Sequence, residues 1–130
     1  MGIFLFNFST DKQRIIIWRL IFFLALSAVM TLALLPTSGA QGFSGQDKLL
    51  HCITFAVLFL MACQCYPDQM YRKWLYLGLF FYGVSMELLQ GQTAYRSMEM
   101  LDLVADMLGV ALGCLFLVLY ARYSPKHGSS

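Results

Sequence analysis

Nine side chains able to carry chemistry lie in two stretches of a largely apolar chain: Asp47, Lys48 and His51 in the first, and Glu87, Gln90, Arg96, Glu99, Asp102 and Asp106 in the second. Their types suit two kinds of chemistry. Arg96, Lys48 and His51 could hold a phosphate, because a guanidinium fork binds two oxygens of one anion. Gln90 and Asp47 would complete that binding set. The carboxylates of Glu87, Asp102 and Asp106 could ligate Mg²⁺, a hard cation that takes oxygen ligands. Alternatively, Glu87, His51 and Asp102 could move protons, as catalytic groups or as a relay for a small solute. The charge count sharpens the question. Five acids (Asp47, Glu87, Glu99, Asp102, Asp106) stand against two fixed bases and one histidine. A half-buried site with that excess needs a proton or a cation among its carboxylates. No Ser/His/Asp arrangement, glycine-rich phosphate loop or metal motif of fixed spacing appears, so the residues leave catalysis open.

The spacing places these groups on helix faces. Asp47 and His51 are four residues apart, as are Asp102 and Asp106, while Glu87 and Gln90 are three apart. Each pair therefore shares one face of a helix. Thr54 and Phe55 extend the first face, and Gly83 and Phe80 extend the second. Gly109 and Gly113 continue the Asp102–Asp106 stripe, a pattern that lets a second helix approach closely. The acidic face of that helix is thus expected to be its packing face, with the acids turned into a bundle. A carboxylate kept inside an apolar helix is costly and points to function. Plainer roles exist for most of the set: Asp47 as a helix cap, Lys48 as a headgroup anchor, His51 as an interfacial histidine, Gln90 as the cap of a helix end, Glu99 as a solvated acid, Asp102 as a dipole partner, and Glu87 with Arg96 as a simple lock between two helices. Asp106 resists such a role, lying about 13 Å along the axis from the candidate cap Ser97, at roughly 1.5 Å per residue.

The elements that must carry these faces follow from composition. The chain has 130 residues, 59% of them hydrophobic and only 12% charged, which is unlike a soluble domain. The expected fold is all-α: a single polytopic membrane four-helix bundle with spans at about 15–35, 49–65, 74–90 and 98–120, each near the length that crosses the hydrocarbon. Pro36 stops the first span. Ser44-Gly45-Gln46-Asp47 fits a capping box for the second, and Pro67 ends it. Gly91 stops the third, and Ser97 is the candidate cap of the fourth. Lys12 and Arg14 ahead of an apolar run also fit a signal peptide, but the run exceeds the usual apolar core of about 7–15 residues, so an uncleaved helix is expected. Residues 1–8 could lie in the membrane interface, residues 124–130 should form a disordered tail, and His127 within it has no assigned role. Cys52, Cys63, Cys65 and Cys114 read as apolar packing residues rather than a disulfide or zinc framework. The formal charge of +2 gives no reason to expect nucleic acid.

Basic residues set the orientation. Lys12, Arg14, Arg19, Arg72, Lys73, Arg122 and Lys126 fall on one side of the four spans, and only Lys48 and Arg96 on the other. Both termini and the 66–73 loop should then be cytoplasmic, with segments 39–46 and 91–97 outside. The whole polar set would share the outer side, at corresponding depths of three helices.

At these residues the chain resembles the VanZ-like membrane family. The resemblance rests on Asp47-Lys48-x-x-His51 with Phe55, Glu87-x-x-Gln90, Arg96, and Asp102-x-x-x-Asp106-x-x-Gly109-x-x-x-Gly113, and covers about residues 32–119. The order and spacing of the pieces carry it, since no single piece is specific. The chain departs from the pattern at Asp106, where the family usually has Asn. The resemblance implies a multi-pass protein of the bacterial cytoplasmic membrane with a role in the cell envelope, the family being named for a factor in teicoplanin resistance. Combined with the residue chemistry, the expected function is recognition, or processing, of an anionic envelope lipid or a polyprenyl-phosphate-linked precursor at the extracytoplasmic face. A small proton-coupled transport component and a structural membrane subunit are the alternatives.

Overall fold

In a computed structural model of the chain, the described residues are 11–36 and 45–124. They form four long helices: α1 (Asp11–Leu34), α2 (Gln46–Cys65), α3 (Arg72–Gly91) and α4 (Met100–Tyr123). A single 3₁₀ turn (Gln69–Tyr71) leads into α3, and no strand occurs among the described residues. The all-α expectation holds, and the helices lie where the apolar runs place them. The expectations for residues 1–8, for Ser44 and for residues 125–130, including Lys126 and His127, lie outside the described residues, as does most of segment 39–46.

Local chemistry explains the helix ends. Pro36 follows α1 by two residues, and the residue before a proline is disfavoured in helical conformation. Gly45 precedes α2 with φ 89°, a left-handed turn that costs glycine little. Pro67 follows α2 in the same way, with Tyr66 at φ −134°. At the end of α3, Thr93 N–H and its hydroxyl both donate to Gln90 O, at 3.1 and 2.7 Å. The start of α4 differs from expectation. Its flanking residue is the extended Glu99 rather than Ser97, and no side chain caps the helix.

α2 and α4 form the tightest pair, and glycine is the reason. A Cβ at Gly109 would collide with the Cys52 carbonyl of α2, and one at Gly113 would lie 3.0 Å from Phe59 Cδ1 and 3.1 Å from Ala56 O. Both glycines are buried on the stripe that begins with Asp102 and Asp106, so the acidic face and the packing face coincide. Phe55, Leu58, Phe59 and Ala62 of α2 form the centre of the core with Leu79 and Met86 of α3, Val110 of α4 and Phe22 of α1. Phe59 stacks on Tyr76 with ring centroids 5.4 Å apart. Phe80, expected on the buried stripe of α3, is exposed instead.

The outer surface is apolar. Leu20, Phe23 and Leu24 of α1, Ile53 and Val57 of α2, and Val104, Leu108, Leu112 and Phe116 of α4 all face outward. In α3 and α4 the acids Glu87 and Asp106 are turned inward, both at 0% exposure. This is the reverse of a soluble domain, where patches of this kind are rare. Three helices, α1, α2 and α4, are long and apolar enough to cross a membrane. α3 is absent from that set. It has 20 residues but carries Arg72, Lys73, Glu87 and Gln90, and its two inner polar side chains are covered by neighbouring helices rather than replaced by apolar ones.

Candidate functional site

The C-terminal ends of α1 and α3 and the N-terminal ends of α2 and α4 meet at one end of the bundle. Contacts among their side chains establish this. Gln90 of α3 reaches Ala33 of α1, and His51 of α2 reaches Asp102 and Asp106 of α4. All nine candidate residues of the two sequence stretches stand at this end, and they sort into three layers.

The innermost layer holds His51, Glu87 and Asp106, one from each of three helices. His51 Nδ1 and Asp106 Oδ1 share a hydrogen bond of 2.8 Å. One donor atom from each of the three residues lies within 4.8 Å of the others. Glu87 Oε2 accepts the backbone N–H of Glu99 at 3.1 Å. The remaining oxygens, Glu87 Oε1 and Asp106 Oδ2, are buried without a hydrogen-bond partner. A buried carboxylate oxygen left in that state is costly. Gly83 makes room for this layer, since a Cβ there would lie 2.9 Å from Asp106 Oδ2.

The second layer is a rim of three acids around one ammonium. Lys48 Nζ lies 2.8 Å from Glu99 Oε2, 3.4 Å from Asp102 Oδ1 and 3.5 Å from Asp47 Oδ2. Asp47, Glu99 and Asp102 also have oxygens within 4.8 Å of one another, a spacing that would suit a cation, and Lys48 already supplies one. Asp102, expected among metal ligands with Glu87 and Asp106, thus belongs to the rim. It still touches the inner layer, with Oδ2 at 3.8 Å from His51 Nε2. Glu99, expected to be solvated, links the layers: its side chain holds Lys48 and its backbone holds Glu87.

The third layer seals the end of α1, whose last carbonyls have no partner within their own helix. Ala33 O accepts Gln90 Nε2 at 2.9 Å and Arg96 Nη1 at 3.1 Å. The Tyr95 hydroxyl donates to Leu34 O. Gln90 does cap a helix, though the helix is α1 rather than its own. Among the described residues Arg96 forms no ion pair, so the Glu87–Arg96 lock is not made. Tyr95 was not singled out from the sequence, and an isolated loop tyrosine carries no signal that could have marked it.

Two adjoining cavities open beside these layers, sharing Asp47, His51, Gln90 and Arg96 as walls. One, of about 190 Å³, is polar and adds Tyr95, Ser97, Glu99 and Asp102. The other, of about 260 Å³, runs between α1 and α2 and is walled mostly by apolar side chains such as Val29, Leu32, Leu50 and Met86. A larger cavity of about 480 Å³ lies at the opposite end, among Arg14, Cys63, Arg72 and Cys114. Its cations are already engaged: Arg72 donates to Cys63 Sγ at 3.0 Å and Arg14 pairs with Asp11 at 3.6 Å. The four cysteines are free thiols, two of them buried in the core. Compared with family models, curated proteins and solved structures, the chain matches none.

Proposed function

We propose that the chain is a VanZ-like, multi-pass protein of the bacterial cytoplasmic membrane that holds the anionic headgroup of an envelope lipid or lipid-linked precursor at the outer face. In this reading α3 is a fourth span, its polar side chains shielded by α1, α2 and α4. Both termini are cytoplasmic, following the bias of basic residues. The observation that carries the proposal is the joined pair of cavities. A polar chamber beneath the 92–99 loop continues into an apolar cleft between α1 and α2, and Arg96 and His51 line both. That combination matches a ligand with a charged head and a hydrocarbon tail. Arg96 anchors one guanidinium nitrogen on Ala33 O and pairs with no carboxylate among the described residues, which leaves donors for a phosphate. The motif resemblance supports a place in the envelope, including a link to glycopeptide resistance.

The test is thermal stability of the purified protein in a neutral detergent. Phosphatidylglycerol or a polyprenyl phosphate should raise the melting temperature by several degrees, while phosphatidylcholine should not. Arg96→Lys should lose most of that shift, because an ammonium cannot replace a bidentate fork. Equal shifts from anionic and zwitterionic lipids would sink the proposal. Native mass spectrometry of the same sample would identify the lipid carried through purification.

A further inference from the structure

The inner layer has two features that lipid binding does not explain. Glu87 and Asp106 are fully enclosed, yet Glu87 Oε1 and Asp106 Oδ2 have no hydrogen-bond partner among the described residues. The two cations at this end of the bundle do not neutralise them either. Lys48 forms its ion pairs with Asp47, Glu99 and Asp102, and Arg96 donates to a backbone carbonyl. His51 is the one basic group in contact with the layer among the described residues. It answers Asp106 through a single atom and leaves Oδ2 facing the Gly83 side of α3, the same stripe that carries Glu87 one turn on.

We propose that His51, Glu87 and Asp106 bind one divalent transition-metal ion of the Zn²⁺ or Mn²⁺ kind. Donor atoms from the three residues already lie within 4.8 Å of one another, close enough to be drawn onto one ion. Two carboxylates with a neutral imidazole match a 2+ charge. The donor set argues against Mg²⁺, which favours oxygen ligands and retained water, whereas imidazole suits zinc and its neighbours. In the tautomer that carries its proton on Nε2, His51 offers the Nδ1 lone pair to the ion. Nε2–H then faces Asp102 Oδ2, 3.8 Å away, the position from which an outer carboxylate orients a metal-bound imidazole. The sequence-based set of Glu87, Asp102 and Asp106 is thereby revised: His51 becomes a ligand and Asp102 a positioning residue. Because the three ligands come from α2, α3 and α4, the ion would tie those helices together. It would also place a Lewis-acidic centre next to the polar cavity that His51 lines. The ion site stands on the inner layer alone and does not require a lipid in the cavity.

The experiment uses the full chain, purified in lipid-free detergent without chelator. Metal content is read by inductively coupled plasma mass spectrometry. The protein is then stripped and titrated separately with Zn²⁺, Mn²⁺ and Mg²⁺, with melting temperature as a second readout. The expected result is close to one zinc or manganese per chain, and a melting temperature raised by Zn²⁺ or Mn²⁺ but not by Mg²⁺ at the same concentration. His51→Gln and Glu87→Gln should each weaken binding at least about tenfold, while Asp68→Asn at the opposite end should leave it unchanged. Stripped wild-type protein that binds neither Zn²⁺ nor Mn²⁺ overturns the proposal. So does an equal response to Mg²⁺, or unaltered affinity in both glutamine variants. If one variant fails to fold, the other and the wild-type titration still decide. Failure of lipid stabilisation in the separate assay would leave this result intact, and the reverse also holds.

Discussion

His51 Nδ1 lies 2.8 Å from Asp106 Oδ1 across the α2–α4 interface, one turn away from the point where Gly109 packs on the Cys52 carbonyl. The two contacts depend on each other. The side-chain pair is short because the backbones are close, and the backbones are close because Gly109 has no Cβ. Packing and chemistry therefore share a stripe, and damage to one should reach the other.

Glycine substitutions should rank by this geometry. Gly109→Ala should destabilise by about 1–3 kcal/mol, the usual range for overpacking, because the atom it meets is backbone and cannot move aside. Gly113→Ala should cost less, since its nearest neighbour is the rim of the Phe59 ring. Gly78→Ala meets nothing within 4 Å and should be neutral or stabilising by up to about 1 kcal/mol. Melting temperatures in one detergent give the order. A Gly109→Ala protein that melts like wild type would mean the α2–α4 packing is wrong.

Asp106→Asn and Asp106→Leu should differ widely. Asn keeps an oxygen for His51 and removes a buried charge, so metal-free stability should change by less than about 1 kcal/mol, although ion binding falls. Leu strands the imidazole and should cost about 1–3 kcal/mol, the penalty for an unsatisfied buried donor. Denaturation of stripped protein compares the two. Similar losses from both would argue that the His51 contact contributes nothing.

Lys48 should matter through the acids it separates. Lys48→Met leaves Asp47, Glu99 and Asp102 facing one another with no ammonium between them, and should lower stability. Adding Asp102→Asn should recover part of the loss, because one repelling charge is gone. A double-mutant cycle isolates that coupling. Strict additivity of the two changes would show that the rim charges do not interact.

The end of α1 should loosen when its caps are removed. Tyr95→Phe and Gln90→Leu each delete one donor to the last carbonyls of the helix, at a cost near 0.5–1.5 kcal/mol per hydrogen bond. Hydrogen exchange should rise in the final turn of α1 and stay level in α2 and α4. Unchanged protection at α1 would assign these side chains to another task.

Membrane topology has a direct check. In a background without the four native cysteines, a cysteine at Thr93 should react with an impermeant reagent from outside intact cells, and one at Asp68 only after the inner face is opened. The reverse pattern would invert the proposed orientation and put the cavity on the cytoplasmic side.

Apolar periodicity and helix stops were enough to locate four helices, with ends within a few residues, because both are local properties of the chain. The 3.6-residue repeat also sufficed to put Asp102, Asp106, Gly109 and Gly113 on one stripe and to suggest that acids and packing glycines face the same neighbour. Tertiary structure decided how five acids divide. Asp102 joins the Lys48 rim instead of the inner layer because the register of α2 against α4 sets Lys48 Nζ beside it, and that register follows from the Gly109 contact, which involves residues 57 positions apart in sequence. The targets of Gln90, Tyr95 and Arg96 were equally hidden, since their acceptors are backbone carbonyls at the end of α1 and a carbonyl has no side-chain signature. Glu99 is the same case in reverse: its carboxylate looked like an ordinary exposed acid, while the group that reaches Glu87 is its backbone N–H, which any residue but proline would offer.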